Sequence, residues 1–176
     1  MTGNDIAVLL GFLSASIALA GFAGIVTSID RSGAIASNEV ISFRVRNLAT
    51  SAVLSVCLAM LPILVEALEL FQASLWLRCC GASALGIGAL VGSIGSGRLR
   101  MTGGRDVGLS DTLFVVNMTL GAIAFGVLIA GAAGVVPARG AYFAGLFYLL
   151  YLMCTLFHRM VAMADAAAGH AARKEP

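Results

Sequence analysis

The chain has 176 residues, of which 60% are apolar and only 11% are charged. Soluble globular domains carry about 25% charged residues, so this composition excludes an ordinary soluble domain. The formal net charge of +2 gives no nucleic-acid signal. The four cysteines include no Cys-x-x-Cys pair, so zinc and redox sites are not expected.

Five long apolar stretches predict one all-α domain, a membrane bundle of five transmembrane helices. A hydrocarbon core about 30 Å thick needs roughly 20 apolar residues of helix. The segments that meet this requirement are 6–29, 48–68, 79–97, 112–136 and 141–163, followed by a flexible tail at 164–176. Only short loops remain between them, too small to form a core of their own. Any function is therefore expected between the helices, at their ends, or against a partner.

The first span contains Ala18-Leu19-Ala20, which resembles a signal-peptidase site. A signal peptide has a basic start and a shorter apolar stretch. Here residues 1–5 contain no Lys or Arg, and the apolar run continues to Ile29. We therefore expect the first span to remain uncleaved.

The later spans carry local signals of their own. Pro62 lies inside span two and predicts a kink, because proline removes a backbone donor. Phe71 and Trp76 follow that span and fit an aromatic belt at a membrane interface. Span three is the shortest and the most glycine-rich, and residues 137–140 predict a tight turn between spans four and five.

The basic residues divide unequally between the two sides of this predicted bundle. Positive charge is retained on the cytoplasmic side during insertion, so the N-terminus is predicted outside and the C-terminus inside. Nine basic residues then face the cytoplasm, namely Arg31, Arg44, Arg46, Arg98, Arg100, Arg105, Arg159, Arg173 and Lys174, and two face outward, namely Arg78 and Arg139.

Small residues recur at every fourth position in three of the spans. This spacing keeps them on one helix face, where they let two backbones approach closely. Span one has Ser16, Ala20 and Gly24, span three has Ala84, Gly88 and Gly92, and span four has Ala122, Gly126, Ala130 and Gly134. Two interpretations remain open. The ridges all pack inside one chain, or one of them, preferably that of span three, packs against another subunit or lines a pore.

Three polar residues are the candidate site residues. Glu66 and Glu69 share one helix face at the predicted outer end, where they either attract cations to the mouth of a pore or solvate a helix end. Asn117, between one and two turns into span four, either bonds across helices or contacts a solute. No Asp, Glu, Lys, Arg or His falls near the centre of a span, which argues against a proton-coupled pump.

Span five is rich in aromatic residues, with Phe143, Phe147 and Tyr151 on one face. These rings either fill gaps opposite the glycines or form a surface that faces lipid. Tyr148 and Tyr151 lie deep enough to need hydroxyl partners. The sequence contains no hydrolase, metalloprotease or phosphate-loop motif, so no catalytic, cofactor or metal site is predicted.

One resemblance covers about the first third of the chain. The run Gly21-Phe22-Ala23-Gly24-Ile25-Val26, followed by Arg44-Val45-Arg46 before span two, resembles a pattern in small multi-span proteins of bacterial inner membranes. That family carries no assigned activity, so the resemblance implies no site residues. It implies a multi-pass protein of the bacterial inner membrane.

Three functions remain open for the predicted bundle. The favoured one is an oligomeric passive channel or permease for a small ion or solute, because span three is glycine-rich and the outer end is acidic. The alternatives are a non-catalytic structural or accessory subunit of a larger membrane complex and, last, a membrane-embedded enzyme. The expected partners are the lipid bilayer and either further copies of the chain or another membrane protein.

Overall fold

The computed structural model describes residues 1–30, 39–68, 74–101 and 111–172. Its five helices are α1 (Gly3–Asp30), α2 (Glu39–Ala67), α3 (Leu75–Met101), α4 (Asp111–Ala132) and α5 (Ala138–Ala172). Each helix is long and apolar enough to cross a membrane. The prediction of an all-α chain with five such helices is therefore confirmed.

Two helices extend well past the apolar stretches that predicted them. α2 begins at Glu39, well before its apolar stretch starts at residue 48, and α5 continues to Ala172. Hydropathy marks only the apolar part of a helix, whereas the backbone hydrogen bonds continue into its polar ends. The tail predicted at 164–176 thus overlaps α5, and its last four residues lie outside the described part.

α4 ends earlier than the apolar pattern predicts, at Ala132. The backbone N–H of Val135 donates to the carbonyl of Ala130 at 2.9 Å, and that of Gly134 donates to Gly131 at 3.1 Å. This pair of bonds is a Schellman motif, and Gly134 supplies the positive φ of 75° that the motif requires. The apolar run after Ala132 therefore belongs to a turn and not to the helix.

α5 is the central helix, because it contacts each of the other four. α1 runs parallel to it, since three side-chain contacts follow in the same order along both helices. These contacts join Asp5 to Arg139, Phe12 to Phe147, and Phe22 to Phe157. The starts of α1 and α5 and the end of α2 consequently lie together at one end of the bundle.

Large apolar side chains fill the middle of the bundle, and all five helices supply them. Examples with at most 1% of their surface exposed are Leu9 of α1, Leu48 of α2, Ile87 of α3, Leu128 of α4 and Leu149 of α5. Interiors of this kind are close-packed. These side chains therefore occupy the space through which a water path within a single chain would have to run.

Two glycines let α4 approach its neighbours closely. A Cβ at Gly121 would lie 2.6 Å from Tyr148 Oη and 2.8 Å from Val91 Cγ2. A Cβ at Gly131 would lie 2.6 Å from the Cβ of Ala141. Any larger side chain at these positions must displace α3 or α5, so both glycines set the distance between helices.

Pro62 lies inside α2 without ending it. Proline has no N–H, so the carbonyl of Leu58, one turn earlier, has no helical donor. The buried hydroxyl of Tyr142 in α5 donates a hydrogen bond to that carbonyl. The Leu58 carbonyl, which Pro62 leaves without a helical donor, is therefore the acceptor of a hydrogen bond that joins α5 to α2.

Candidate functional site

Glu66 lies at the end of α2, and its carboxylate is 38% exposed. Its Oε1 is 2.6 Å from the amino nitrogen of Met1 at the start of the chain. Glu69, the other half of the predicted acidic pair, lies outside the described residues. The described member of the pair is thus balanced by a positive group.

A second ion pair lies at the same end and was missed by the sequence analysis. Asp5, only 2% exposed, places Oδ1 2.5 Å from Nη2 of Arg139, which is 47% exposed. Oδ1 has no hydrogen-bond partner among the described residues, so its contact with Arg139 is purely an ion pair. The backbone N–H of Thr2 donates to Asp5 Oδ2 at 2.9 Å, and that of Asp5 donates to Thr2 Oγ1 at 3.3 Å. This is a capping box, and its spacing from Thr2 to Asp5 is the sequence signal that was available.

The cysteines divide into two exposed and two buried residues. Cys57 and Cys154 are exposed, and Cys79 and Cys80 are buried at the start of α3. The Cys80 thiol donates to the carbonyl of Ala138 at 3.0 Å, which joins α3 to α5. In the described part of the chain, no three His, Cys, Asp or Glu side chains come together as metal ligands.

Asn117 is only 8% exposed and lies beside a cavity between α4 and α5. Among the described residues, its Oδ1 has no hydrogen-bond partner. Its backbone carbonyl accepts a long bond from the Tyr148 hydroxyl at 3.4 Å. The cavity, about 260 Å³ and open to the outside, is here called the α4–α5 groove. Its lining residues are Leu113, Asn117, Tyr151, Cys154, Thr155, His158 and Arg159.

Glu66 and Asn117 are not brought together. Glu66 lies where α2 ends, whereas Asn117 lies near the start of α4, at the opposite end of the bundle. The sequence-predicted polar residues therefore belong to two separate places, and neither place contains both.

The small residues of α1 lie partly at a helix contact. Ser16 is fully buried, and its hydroxyl lies 2.7 Å from that of Ser55 in α2. Ala20 is half-buried and packs against the buried cluster that contains Leu48 and Met153, whereas Gly24 is exposed. The ridge predicted for span one thus enters the bundle at Ser16 and leaves it by Gly24.

The ridge of α3 also turns from the interior to the outside. Ala84 is buried. A Cβ at Gly88 would lie 2.9 Å from the ring of Phe125 in α4, so this glycine makes room for that ring. Gly92 is exposed, and no described atom lies within 4 Å of the Cβ it would carry.

The ridge predicted for α4 lies mostly outside the helix contacts. Ala122 and Gly126 are exposed and Ala130 is half-buried, while Gly134 belongs to the turn after the helix. The glycine that packs closely in the middle of α4 is Gly121, one position from the predicted ridge.

One face of α3 is exposed along most of the helix and consists mainly of small residues. It contains Ala82, Leu85, Ala89, Gly92, Ser93 and Ser96, here called the α3 outward face. α3 is also the least apolar of the five candidate spans. This surface is distinct from the outer faces of α1 and α4, which expose many large apolar side chains.

The aromatic residues of α5 divide between the interior and the surface of the bundle. Tyr142 and Tyr148 are buried, with hydroxyls directed at backbone carbonyls of α2 and α4. Phe147 and Tyr151 are exposed. Trp76 of α3 packs on Tyr142, with ring centroids 5.6 Å apart.

No protein-family model, curated protein or solved structure matches the chain.

Proposed function

We propose that the chain is one protomer of an oligomeric passive channel for a small ion or solute, in a bacterial inner membrane. The path lies between copies of the chain, along the α3 outward face. The composition of that face carries the proposal. Ala, Gly and Ser offer few contacts to lipid chains, whereas they allow helices to approach closely or line a narrow path.

The filled interior supports a path between chains rather than through one. Leu9, Leu128 and Leu149 are fully buried at the centre of the bundle, where a water path would need space. Close-packed side chains of this kind leave no room for solvent. An oligomer places its pore on the symmetry axis instead, and one helix face from each copy then lines it.

The chemistry of the α3 outward face suits a small hydrated solute. Ser93 donates its hydroxyl hydrogen to the carbonyl of Leu90 at 2.8 Å, and Ser96 donates to the carbonyl of Ser93 at 3.2 Å. Each hydroxyl oxygen keeps a lone pair that can accept from water or contact a cation. Leu85 is the only large apolar residue of the face.

Flux through vesicles that contain the purified protein tests this function. Gly92→Leu adds a side chain to the proposed path at a position open in the single chain. Gly126→Leu is the matched control, because Gly126 is equally open but lies on α4. We expect Gly92→Leu to reduce flux at least tenfold and Gly126→Leu to leave it unchanged. Equal flux in the two variants, or no flux from the unaltered protein, would contradict the proposal.

A second candidate function is that of a non-catalytic subunit in a larger membrane complex. The observation that favours it is that Glu66 pairs with the amino group of Met1 and Asp5 pairs with Arg139. The charges of these four groups are therefore balanced, so the two carboxylates do not form an acidic mouth for cations. This function predicts no flux and a stoichiometric partner on mild detergent extraction. Cysteine cross-linking at Gly92, after replacement of Cys57 and Cys154, distinguishes a second copy from a different partner.

A further inference from the structure

The α4–α5 groove lies at the level of a membrane interface when the helices span the bilayer. A helix rises 1.5 Å per residue, so Arg139 and Arg159 of α5 are about 30 Å apart along its axis. This distance equals the thickness of a hydrocarbon core, so the two arginines mark its two edges. Tyr151, at the inner end of the groove, lies about 12 Å deeper than Arg159.

The groove has an almost entirely apolar lining, to which Leu113, Cys154 and Tyr151 contribute. His158 and Arg159 lie at its interfacial end. Neither His158 nor Arg159 forms an ion pair with a residue whose side chain the structure describes. A cation at the interface beside an apolar groove matches a ligand with an anionic head and a hydrocarbon chain.

Asn117 lies toward the inner end of the groove, near Tyr148. It is more than nine-tenths buried, and its Oδ1 has no partner in the described part of the chain. An unpaired buried amide is destabilising by about 1–3 kcal/mol.

We propose that the α4–α5 groove binds one anionic phospholipid. Its phosphate lies at Arg159 and His158, and one acyl chain runs inward along Leu113 and Cys154 toward Tyr151. At about 260 Å³, the groove is smaller than the roughly 300–1,000 Å³ pockets that enclose small soluble ligands. It is open at its side, as a site for a chain that stays partly in the bilayer must be. The site is the same for either orientation of the chain and does not depend on the channel.

Native mass spectrometry in a neutral detergent tests the site. Phosphatidylglycerol and phosphatidylcholine with identical acyl chains are added separately to the full-length protein, and the dissociation constant of the first adduct is measured for each. We expect phosphatidylglycerol to bind at least fivefold more tightly. Arg159→Gln should reduce that preference about fivefold, the effect of one basic residue near an anionic surface. Arg46→Gln is the matched control, since Arg46 lies exposed near the same end, over the ring of Phe43, and outside the groove.

Two further measurements separate a lipid site from a simple anion site. Cys154→Phe fills the groove from an exposed position and should weaken both lipids at least fivefold. Glycerol phosphate, which lacks acyl chains, should not compete with phosphatidylglycerol. Equal binding of the two lipids, an equal effect of Arg46→Gln and Arg159→Gln, or full competition by glycerol phosphate would each overturn the proposal.

Discussion

The hydroxyl of Tyr142 donates to the carbonyl of Leu58, the acceptor that Pro62 leaves without a helical donor. The bond joins the central helix α5 to α2 in the buried part of the bundle. A carbonyl left unpaired in an apolar interior is destabilising by about 1–3 kcal/mol. The Tyr142 hydroxyl supplies the hydrogen bond that this carbonyl would otherwise lack because of Pro62. Proline and tyrosine therefore act as one pair, although they lie far apart in the sequence.

Tyr142→Phe tests that pairing. The variant keeps the ring but leaves the Leu58 carbonyl unsatisfied, so we expect it to lower the free energy of unfolding by about 1–3 kcal/mol. Unfolding can be followed in mixed micelles by the fluorescence of Trp76. It is the only tryptophan of the chain, and its ring centroid lies 5.6 Å from that of Tyr142.

Pro62→Ala provides the control for this experiment. Alanine restores an N–H that bonds to the Leu58 carbonyl within α2. In that background Tyr142→Phe should cost less than half of what it costs in the unaltered chain. An equal cost in both backgrounds would show that the hydroxyl stabilises the fold in another way.

A second prediction compares two neighbouring glycines of α4. Gly121→Ala places a methyl group 2.6 Å from Tyr148 Oη and 2.8 Å from Val91 Cγ2, so α3 or α5 must shift. Overpacking of this kind costs about 1–3 kcal/mol. At Gly126 no described atom lies within 4 Å of the added methyl group, so Gly126→Ala should be neutral or slightly stabilising.

Thermal denaturation of the two alanine variants in one detergent measures the difference. The melting temperature of Gly121→Ala should fall by several degrees relative to that of Gly126→Ala. The same shift in both variants would mean that the inner face of α4 does not approach its neighbours as closely as described.

Hydropathy was sufficient to predict the helices but not their faces. Five apolar stretches of about 20 residues predict five helices because the length of a span is fixed by the bilayer. The buried face of α4 contains Gly121 and Leu128, whereas the predicted ridge at Ala122 and Gly126 points outward. In a helix that is apolar on all sides, spacing alone cannot distinguish an inner from an outer small-residue face.

The contacts that join distant helices were also beyond the sequence. Asp5 pairs with Arg139 only because α1 and α5 run parallel, and the order of helices in space is not encoded in hydropathy. The local part of this site, the capping box of Thr2 and Asp5, could have been predicted from its spacing. Asn117 can be recognised in the sequence as a polar residue within a span, but its neighbours His158 and Arg159 come from another helix.

A third prediction concerns the two serines that join α1 to α2. The hydroxyls of Ser16 and Ser55 are buried and lie 2.7 Å apart. Replacing either one by alanine leaves the other without its partner and should cost about 0.6–2 kcal/mol. Replacing both should cost less than the sum of the two single changes, because no unpaired hydroxyl then remains.

A double-mutant cycle of unfolding free energies checks this coupling. Ser14→Ala is the matched control, because Ser14 lies exposed on the same helix and should change stability by less than about 0.5 kcal/mol. Additive effects of Ser16→Ala and Ser55→Ala would contradict a shared hydrogen bond.

The last prediction concerns the ion pair of Asp5 and Arg139. Arg139→Gln leaves the carboxylate of Asp5 buried without its positive partner. Removing one member of a fully buried pair costs about 3–5 kcal/mol, and removing one of an exposed pair costs less than about 1 kcal/mol. Since Asp5 is 2% exposed and Arg139 is 47% exposed, we expect a loss on the order of 2 kcal/mol. Adding Asp5→Asn to Arg139→Gln should recover part of that loss, because the unpaired charge is then removed.

Arg78→Gln is the control at the same end, since Arg78 is exposed and its Nε donates to Ser74 within 3.1 Å. Its cost should stay below about 1 kcal/mol. The comparison is made by unfolding in detergent at low and high salt, where screening should weaken the Asp5–Arg139 pair through its exposed guanidinium. Equal losses for Arg139→Gln and Arg78→Gln, with no recovery in the double variant, would show that Asp5 needs no partner across the bundle.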